Sequence, residues 1–180
     1  MKKNSSPLKK VSPLKSRVID VVIETPKGSR NKFAYDPQCG FFKLSKILAE
    51  GMMFPYDFGF VPGTKAEDGD PIDVLVLIEE PTFPGCLLEC TLIGVIEATQ
   101  REESGELNRN DRLIAVARQS LVYSGIGNIS EVNPAVLKHI AAFFVNYQRL
   151  RNVEFKILGR RGPERAGELL VAAGFGTQAA

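Results

Sequence analysis

Short apolar runs of β-strand character, separated by glycine and proline, dominate the chain beyond residue 17. Runs of this kind lie at residues 18–24, 31–36, 72–78, 87–98, 112–118 and 153–159. Many short strands with turn residues between them are typical of a small barrel or sandwich. The pattern therefore predicts a mainly β protein.

Two later stretches show helical spacing instead. Asn133 is a favourable N-cap, and Pro134 suits the first helical position. The apolar stripe that follows has spacings of three and four residues, at Leu137, Ile140, Ala141 and Phe144. Tyr147 continues this face, where a core tyrosine with one hydrogen bond is the simplest interpretation. A second helix is predicted from Pro163 to Ala173, ended by Gly174.

Composition limits the possible classes of protein. A chain of 180 residues with 44% hydrophobic and 24% charged residues is typical of one globular domain. A net charge of +2 is too small to require a nucleic-acid partner, and no apolar stretch approaches the ~20 residues that cross a bilayer. Cysteines stand only at 39, 86 and 90, without a CxxC pair, which favours reduced thiols and a cytoplasmic location.

The first seventeen residues differ from the rest. They contain six lysine or arginine residues and no acidic one, and the sequence Ser-Pro-Leu-Lys occurs at 6–9 and again at 12–15. No apolar core of a secretory signal is present. We predict a solvated, disordered basic arm over residues 1–17 and a folded domain over 18–176. The alternative is an arm that contacts nucleic acid or another anion.

Residues 68–73, Asp-Gly-Asp-Pro-Ile-Asp, place three carboxylates in one short segment, which we call the acidic turn. Carboxylates this close repel one another unless a positive charge lies between them. Hard cations such as Mg²⁺ prefer oxygen ligands. Asp, Gly and Pro are also ordinary turn formers before a strand, so a turn without metal is the alternative. An EF-hand is excluded, because Ile72 falls at the fifth loop position and Asp73 at the position that needs glycine.

The acidic turn, continued by Val74, resembles the signature of the soluble family I inorganic pyrophosphatases. Three other segments and the stretch before the turn also resemble that family, in the same order. They are Val21–Pro26, Asn31–Asp36, Met53–Thr64 and Phe143–Tyr147. The similarity covers about residues 18 to 160.

The resemblance implies a mainly β fold with α, namely a five-stranded OB-like closed barrel with two flanking helices. It implies hydrolysis of pyrophosphate to two phosphates with Mg²⁺, for which Mn²⁺ is a possible substitute, and a homo-oligomer. Clustered metal ions suit this chemistry, because they acidify water and neutralise charge on the phosphoryl group.

The resemblance also assigns roles to residues. Asp68 and Asp73 would hold metal, and Asp70 would be the base for the attacking water. Glu24 would tune the site. The residues expected to contact phosphate are Lys32, Lys46, Arg112 and Tyr147.

Several positions depart from the family pattern. Ala34 stands where glutamate is usual, Phe54 and Phe58 where tyrosine is usual, and Gln148 where lysine is usual. Two further changes exchange one cation for another, at Lys46 and Arg112.

The segment from Gly94 to Ala115 lacks the expected metal-binding aspartates. Gln100 and Asn110 align with two of them. On a strand Glu102 would share a face with Gln100 and substitute for it. Asp111 is one residue from Asn110, and a slip of one residue in strand register turns a side chain to the other face of the sheet. Metal ligands are therefore predicted at Asn110 and Glu102 besides the acidic turn.

The lost groups predict attenuated pyrophosphate hydrolysis. With three carboxylates and one cation replaced, the pocket carries two fewer negative charges and should recruit metal less well. The alternative is a catalytically weak or inactive protein that binds metal or another phosphorylated ligand. A nucleic-acid-binding OB fold is less favoured, because its aromatic side chains would lie along a basic groove and here they cluster beside the acidic turn.

Overall fold

A computed structural model describes residues 16–66, 69–101 and 105–176. The strands within these ranges are β1 Val18–Thr25, β2 Asn31–Asp36, β3 Phe41–Ile47, β4 Asp57–Phe60, β5 Asp73–Leu77, β6 Leu87–Arg101, β7 Leu107–Arg109, β8 Arg112–Ala117 and β9 Glu154–Arg161. The helices are a single 3₁₀ turn, Ile129–Glu131, then α1 Pro134–Arg149 and α2 Pro163–Ala172.

Five of these strands close into a ring. The order is β1-β4-β5-β8-β6, and β6 pairs again with β1. All neighbours in the ring are antiparallel except β5 and β8, which are parallel. The long strand β6 also pairs with β7 and β9, whereas β2 and β3 form a separate hairpin. The predicted five-stranded OB-like architecture with two flanking helices is confirmed.

The ring carries a hydrophobic core on each face. Along β5, Val74 and Val76 belong to one buried cluster, while Leu75 and Leu77 belong to the other. This division follows from the period of two in side-chain direction along a strand. Because both faces are covered, β5 is an unbroken apolar run, as the sequence shows. One cluster packs on α2 and the other on α1.

The predicted start of α1 is confirmed. The Asn133 side chain accepts a hydrogen bond from the Ala135 amide at 2.9 Å, and Pro134 is the first helical residue. The buried face differs slightly from the predicted stripe: Ala141 is half-buried, and Phe143 is buried. The residues that α1 buries are Leu137, Ile140, Phe143, Phe144, Tyr147 and Gln148.

The second predicted helix is also confirmed, although α2 ends one residue earlier than expected. Gly174 follows its end with φ of +90°, a conformation in which glycine is favoured. Three strands were not predicted from the sequence, namely β3, β4 and β7. Strand β4 contains Gly59, where a Cβ atom would lie 2.0 Å from the Val22 carbonyl oxygen. Glycine is therefore required for the close pairing of β4 with β1.

Most of the basic arm lies outside the described residues. Its last residue, Arg17, forms an exposed ion pair with Glu164 of α2, with Nη2 and Oε1 2.7 Å apart. The boundary at residues 17 and 18 stays a prediction. None of the described helices has the length and apolar character needed to cross a bilayer.

Candidate active site

A cavity of about 800 Å³ lies between the hairpin β2–β3, the acidic turn and the end of α1. The residues predicted from the sequence that line it are Glu24, Lys32, Asp70, Asp73, Asn110, Arg112 and Tyr147. Lys46 lies at its edge, with Nζ 5.9 Å from the centre of the Tyr147 ring. Asp68 and Glu102 fall outside the described residues.

The described part of the acidic turn is closed by backbone hydrogen bonds. The Gly69 amide donates to the Ala66 carbonyl at 3.0 Å, and the Ala66 amide donates to the Asp70 carbonyl at 2.7 Å. Gly69 has φ of +91°, which few other residues adopt. Asp73 is the first residue of β5 and pairs with Phe60 of β4. The turn therefore presents Asp70, while a rigid strand positions Asp73.

Asp73 forms an ion pair with Arg112, with Oδ2 and Nη1 2.5 Å apart. The parallel pairing of β5 and β8 explains this contact, because Val74 lies opposite Leu113 and the preceding residues start both strands. The Arg112 guanidinium also packs 5.4 Å from the centre of the Phe144 ring. Arg112 is buried, and its Nε has no hydrogen-bond partner among the described residues.

Two lysines face each other across the hairpin, since Lys32 and Lys46 are paired in the register of β2 and β3. Burial lowers the pKa of Lys32, an effect that the nearby Asp73 opposes and Arg112 reinforces. Burial also lowers the pKa of Lys46, and the charges of Arg151 and Lys32 lower it further. Like charges held this close favour an anion between them.

Glu24 stands near the end of β1 and accepts a hydrogen bond from the Tyr35 amide at 2.7 Å. Burial raises the pKa of Glu24, while the Tyr35 hydrogen bond opposes the rise and Asp73 adds to it. The carboxyl group therefore connects β1 to β2 and lies within the field of the other site charges.

Aromatic rings form the apolar wall of the cavity. The rings of Phe54 and Tyr147 lie 6.3 Å apart, and Lys32 Nζ lies 5.6 Å from the centre of the Phe58 ring. Burial raises the pKa of Tyr147, and the charges of Arg151 and Arg112 oppose this. Its hydroxyl is buried without a hydrogen-bond partner in the described part of the chain. A ligand oxygen in the cavity would satisfy it.

Three amides that line the same cavity form one hydrogen-bonded group, which we call the amide cluster: Gln100, Asn110 and Gln148. The Gln100 carbonyl oxygen accepts from the Asn110 amide group and, at 3.2 Å, from the Gln148 amide group. The Gln148 carbonyl oxygen accepts from Arg151 Nη1 at 2.7 Å. The structure thus brings together three positions where the family resemblance expects charged residues.

Asp111 does not replace Asn110 in the cavity. Its carboxylate accepts a hydrogen bond from the Ala98 amide at 2.9 Å and pairs with Arg109 at 2.8 Å. These contacts place it at a second, smaller cavity of about 280 Å³ that Arg165 also lines. The Asn110 amide donates to the Ala98 carbonyl at 3.0 Å, and the Asn110 side chain, unlike that of Asp111, contacts Gln100.

The residues present fit a divalent cation on one side of the cavity. Asp70 and Asp73 supply carboxylate oxygens, which Mg²⁺ prefers. On the other side, the oxygen of Gln100 already accepts two hydrogen bonds within the amide cluster. Within residues 16–66, 69–101 and 105–176, no group of three or more His, Cys, Asp or Glu side chains is placed to hold a metal ion. A complete ligand set at the acidic turn would thus need Asp68.

Sequence reasoning missed Arg151 as a lining residue of the cavity. It lies two residues beyond α1 and close to Arg149, and basic residues at a helix C-terminus are usual because they complement its dipole. Its position three residues after Gln148 was the available signal.

A five-stranded ring with a cavity that joins carboxylates, cations and a phenol defines a class of protein suited to a polyanionic ligand. Comparison with known proteins identifies the family within this class. The family model described as inorganic pyrophosphatase matches residues 21–174. The chain belongs to the inorganic pyrophosphatase family, as its sequence resemblance indicated.

Individual relatives agree in length and fold. The chain is 39% identical over 145 residues to a Nostoc inorganic pyrophosphatase, which covers 81% of this chain and 83% of the relative. It is 36% identical over 154 residues to that of Methanosarcina acetivorans, covering 86% and 89%. The crystal structure of the Thermus thermophilus inorganic pyrophosphatase superposes with a TM-score of 0.82 at 33% identity, covering 91% of this chain and 92% of that one.

Proposed function

We propose that this protein hydrolyses inorganic pyrophosphate to two phosphates with Mg²⁺ or, as a substitute, Mn²⁺, at an attenuated rate. The observation that carries the proposal is the cavity in which the acidic turn faces Lys32, Arg112 and Tyr147. Family membership supports the reaction class. The attenuation is inferred from the amide cluster and from the substituted aromatic positions.

Asp70 acts as the base in this proposal, accepting a proton from the attacking water at a carboxylate oxygen. Asp73 and Asp68 hold metal. When bound there, Mg²⁺ supplies positive charge to the phosphate oxygens and acidifies water. Asn110 and Glu102 remain proposed ligands, and the engagement of Asn110 with Gln100 weakens its case.

Positioning of the two phosphates is assigned to the cationic and phenolic groups. Lys32 and Arg112 line the cavity, and Lys46 approaches its edge beside Tyr147. The buried donors at Arg112 Nε and Tyr147 Oη are without partners among the described residues, so an anion would relieve two unpaired groups. Glu24 limits the excess of positive charge at this wall.

Attenuation has two structural sources. The amide cluster replaces charges that would attract metal and phosphate, and it is neutral and internally hydrogen-bonded. Phe54 and Phe58 pack at the wall of the cavity without hydroxyl groups. Where a ligand oxygen loses a hydrogen bond in this way, the loss is about 1–3 kcal/mol.

A binding protein with little or no turnover is the second candidate. The observation that favours it is the same neutral amide cluster, because a site that attracts fewer metal ions can still hold a phosphorylated ligand through its cations. The two candidates differ in turnover and share the ligand class.

Measurement of phosphate release from pyrophosphate, with and without Mg²⁺, tests the proposal. We expect release only with Mg²⁺, and Asp70→Asn should reduce it by about 10²–10⁴-fold. Asp20→Asn is the matched control, since Asp20 is exposed on β1. Binding of pyrophosphate without release would favour the second candidate. Equal activity of the two variants would contradict the role of Asp70.

A homo-oligomer and a cytoplasmic location complete the proposal. Large apolar side chains are exposed at Phe83, Leu121 and Val122, as expected of a surface that another copy covers. Cys39, Cys86 and Cys90 are free thiols, which supports a reducing compartment. Sedimentation analysis of the wild type and of Leu121→Ser tests the oligomer.

A further inference from the structure

We infer that Arg151 is a phosphate-binding residue that replaces the cation expected at position 148, so that pyrophosphate binds here without a divalent ion. The inference rests on the proposed function in taking pyrophosphate as the ligand. It adds a residue that the sequence resemblance did not assign and a mode of binding that depends on side chains alone.

The position of Arg151 is fixed by two contacts. Nη1 donates to the Gln148 carbonyl oxygen at 2.7 Å, and Cζ lies 5.6 Å from the centre of the Tyr147 ring. Gln148 engages one of the five N–H donors of the guanidinium. The residue lines the cavity and is exposed enough for its remaining donors to meet a ligand.

The amide cluster determines why the guanidinium docks there. Gln148 donates to Gln100 with its nitrogen, so its oxygen faces Arg151. Lysine at position 148 would have three donors and no acceptor, and its charge would repel the guanidinium. Glutamine at position 148 and arginine at position 151 are therefore compatible with each other in a way that lysine and arginine are not.

The surrounding charges complete an anion site. Lys32 and Arg151 line the same cavity, and Lys46 and Arg151 both lie within 6 Å of the centre of the Tyr147 ring, at 5.9 and 5.6 Å. After burial, the charge of Arg151 is the next cause that lowers the pKa of Lys46, and it is a minor cause for Lys32. The Tyr147 hydroxyl, which is buried and has no partner among the described residues, belongs to the same wall. A planar guanidinium matches the oxygens of a phosphate group with paired hydrogen bonds.

The number of cations favours a diphosphate over a carboxylate or a single phosphate. Lys32, Arg112 and Arg151 all line a space of about 800 Å³. Two linked phosphates offer more than one anionic group to these cations. Neutral amides at positions 100 and 110 remove the repulsion that carboxylates would exert on such a ligand in the absence of metal.

Calorimetric titration with inorganic pyrophosphate in EDTA tests the inference. We expect wild type to bind and Arg151→Gln to bind about tenfold more weakly or worse, equivalent to about 1.4 kcal/mol. Arg149→Gln is the matched control, because Arg149 lies at the end of the same helix, is exposed and does not line the cavity. Arg151→Lys should restore part of the affinity, because it keeps the positive charge without the planar fork of donors.

Steady-state hydrolysis with Mg²⁺ supplies the second readout, in which Arg151→Gln should raise KM more than it lowers kcat. Equal pyrophosphate affinity of Arg151→Gln and Arg149→Gln in EDTA would overturn the inference, as would a wild type that does not bind without metal. The proposed function has its own test: it is wrong if the wild type releases no phosphate with Mg²⁺. Binding in EDTA still decides the role of Arg151 in that case.

Discussion

Two parts of the cavity lining, the acidic turn and the amide cluster, differ in charge. The acidic turn keeps its aspartates, and Asp73 is held on β5 by an ion pair with Arg112. In the amide cluster, where the family resemblance expects charges of opposite sign at positions 100 and 148, the neutral Gln100 and Gln148 share a hydrogen bond. Removing one partner of a close charge pair leaves the other uncompensated, whereas replacing both with groups that bond to each other avoids that penalty. The contrast teaches that a pair of hydrogen-bonded amides avoids the cost of one unpaired charge at this part of the cavity.

The largest expected effect comes from removing carboxylates of the acidic turn. Replacing Asp68 and Asp73 together with alanine should weaken binding of Mg²⁺ and Mn²⁺ by at least about 10–100-fold, the range seen when even an outer partner of a metal site is lost. Calorimetric titration measures it. A double variant of exposed acids, Asp20→Ala with Glu164→Ala, controls for lost charge. Unchanged metal affinity in the Asp68 and Asp73 variant would show that the acidic turn is not the metal site.

Replacing two members of the amide cluster with aspartate should sharpen the contrast between this cluster and the acidic turn. In Gln100→Asp with Asn110→Asp, we expect about tenfold faster Mg²⁺-dependent phosphate release, because the cavity gains two metal ligands. The variant should melt at a lower temperature in EDTA, since two negative charges then adjoin, and Mg²⁺ should raise that temperature. Asn146→Asp, on the exposed side of α1, is the control. No gain in release would mean that the amide cluster does not cause the attenuation.

A smaller effect is expected from the titration of Lys32, which lines the cavity. In the proposed function its protonated form binds phosphate, and burial lowers its pKa from the ordinary value of 10.5. Pyrophosphate affinity should therefore fall as pH rises through that lowered pKa, at a pH below 10.5. Lys32→Arg stays charged over this range, so its affinity should fall less when both proteins are titrated in EDTA. Parallel curves would exclude Lys32 as the titrating group.

The smallest effect is expected from removal of the basic arm. Deleting residues 1–16 should leave the melting temperature and metal binding nearly unchanged, because every proposed ligand lies beyond them. Arg17, which pairs with Glu164, is retained. If the arm acts at all, its contact with an anionic partner should be salt-sensitive. A gel-shift series across salt concentrations compares the two forms, and a clear fall in melting temperature would contradict the predicted disorder.

Much of the fold could be predicted from local patterns. The runs at 72–78 and 112–118 became β5 and β8, and Asn133 with Pro134 correctly marked the start of α1. Strand β3 was missed because its residues are mostly exposed and do not alternate. Strand β4 was missed because Gly59 weakens any local strand preference, and its need for glycine arises only from the approach of Val22.

The candidate site, like the fold, has features that local sequence patterns predicted and features that they missed. The acidic turn was recognisable because its carboxylates are close together in sequence, and their density predicted a cation. The sequence also predicted that positions 100, 110 and 148 depart from the family pattern. It did not show that the three amides bond to one another, that Asp111 turns to Arg109, or that Arg151 borders the cavity. These facts depend on strand register and on the packing of α1 against the ring.

The sequence by itself thus determined the family, through motifs of residues close together in the chain, and a mainly β fold with two helices, through periodicity. The five-stranded OB-like architecture was predicted through the family resemblance. Only the tertiary structure decided which charges face one another. Gln100 and Gln148 are 48 residues apart, and the hydrogen bond between them exists because β6 and α1 end at the same cavity. Hydrogen bonds require separations near 3 Å, and local sequence patterns do not specify such distances between remote segments.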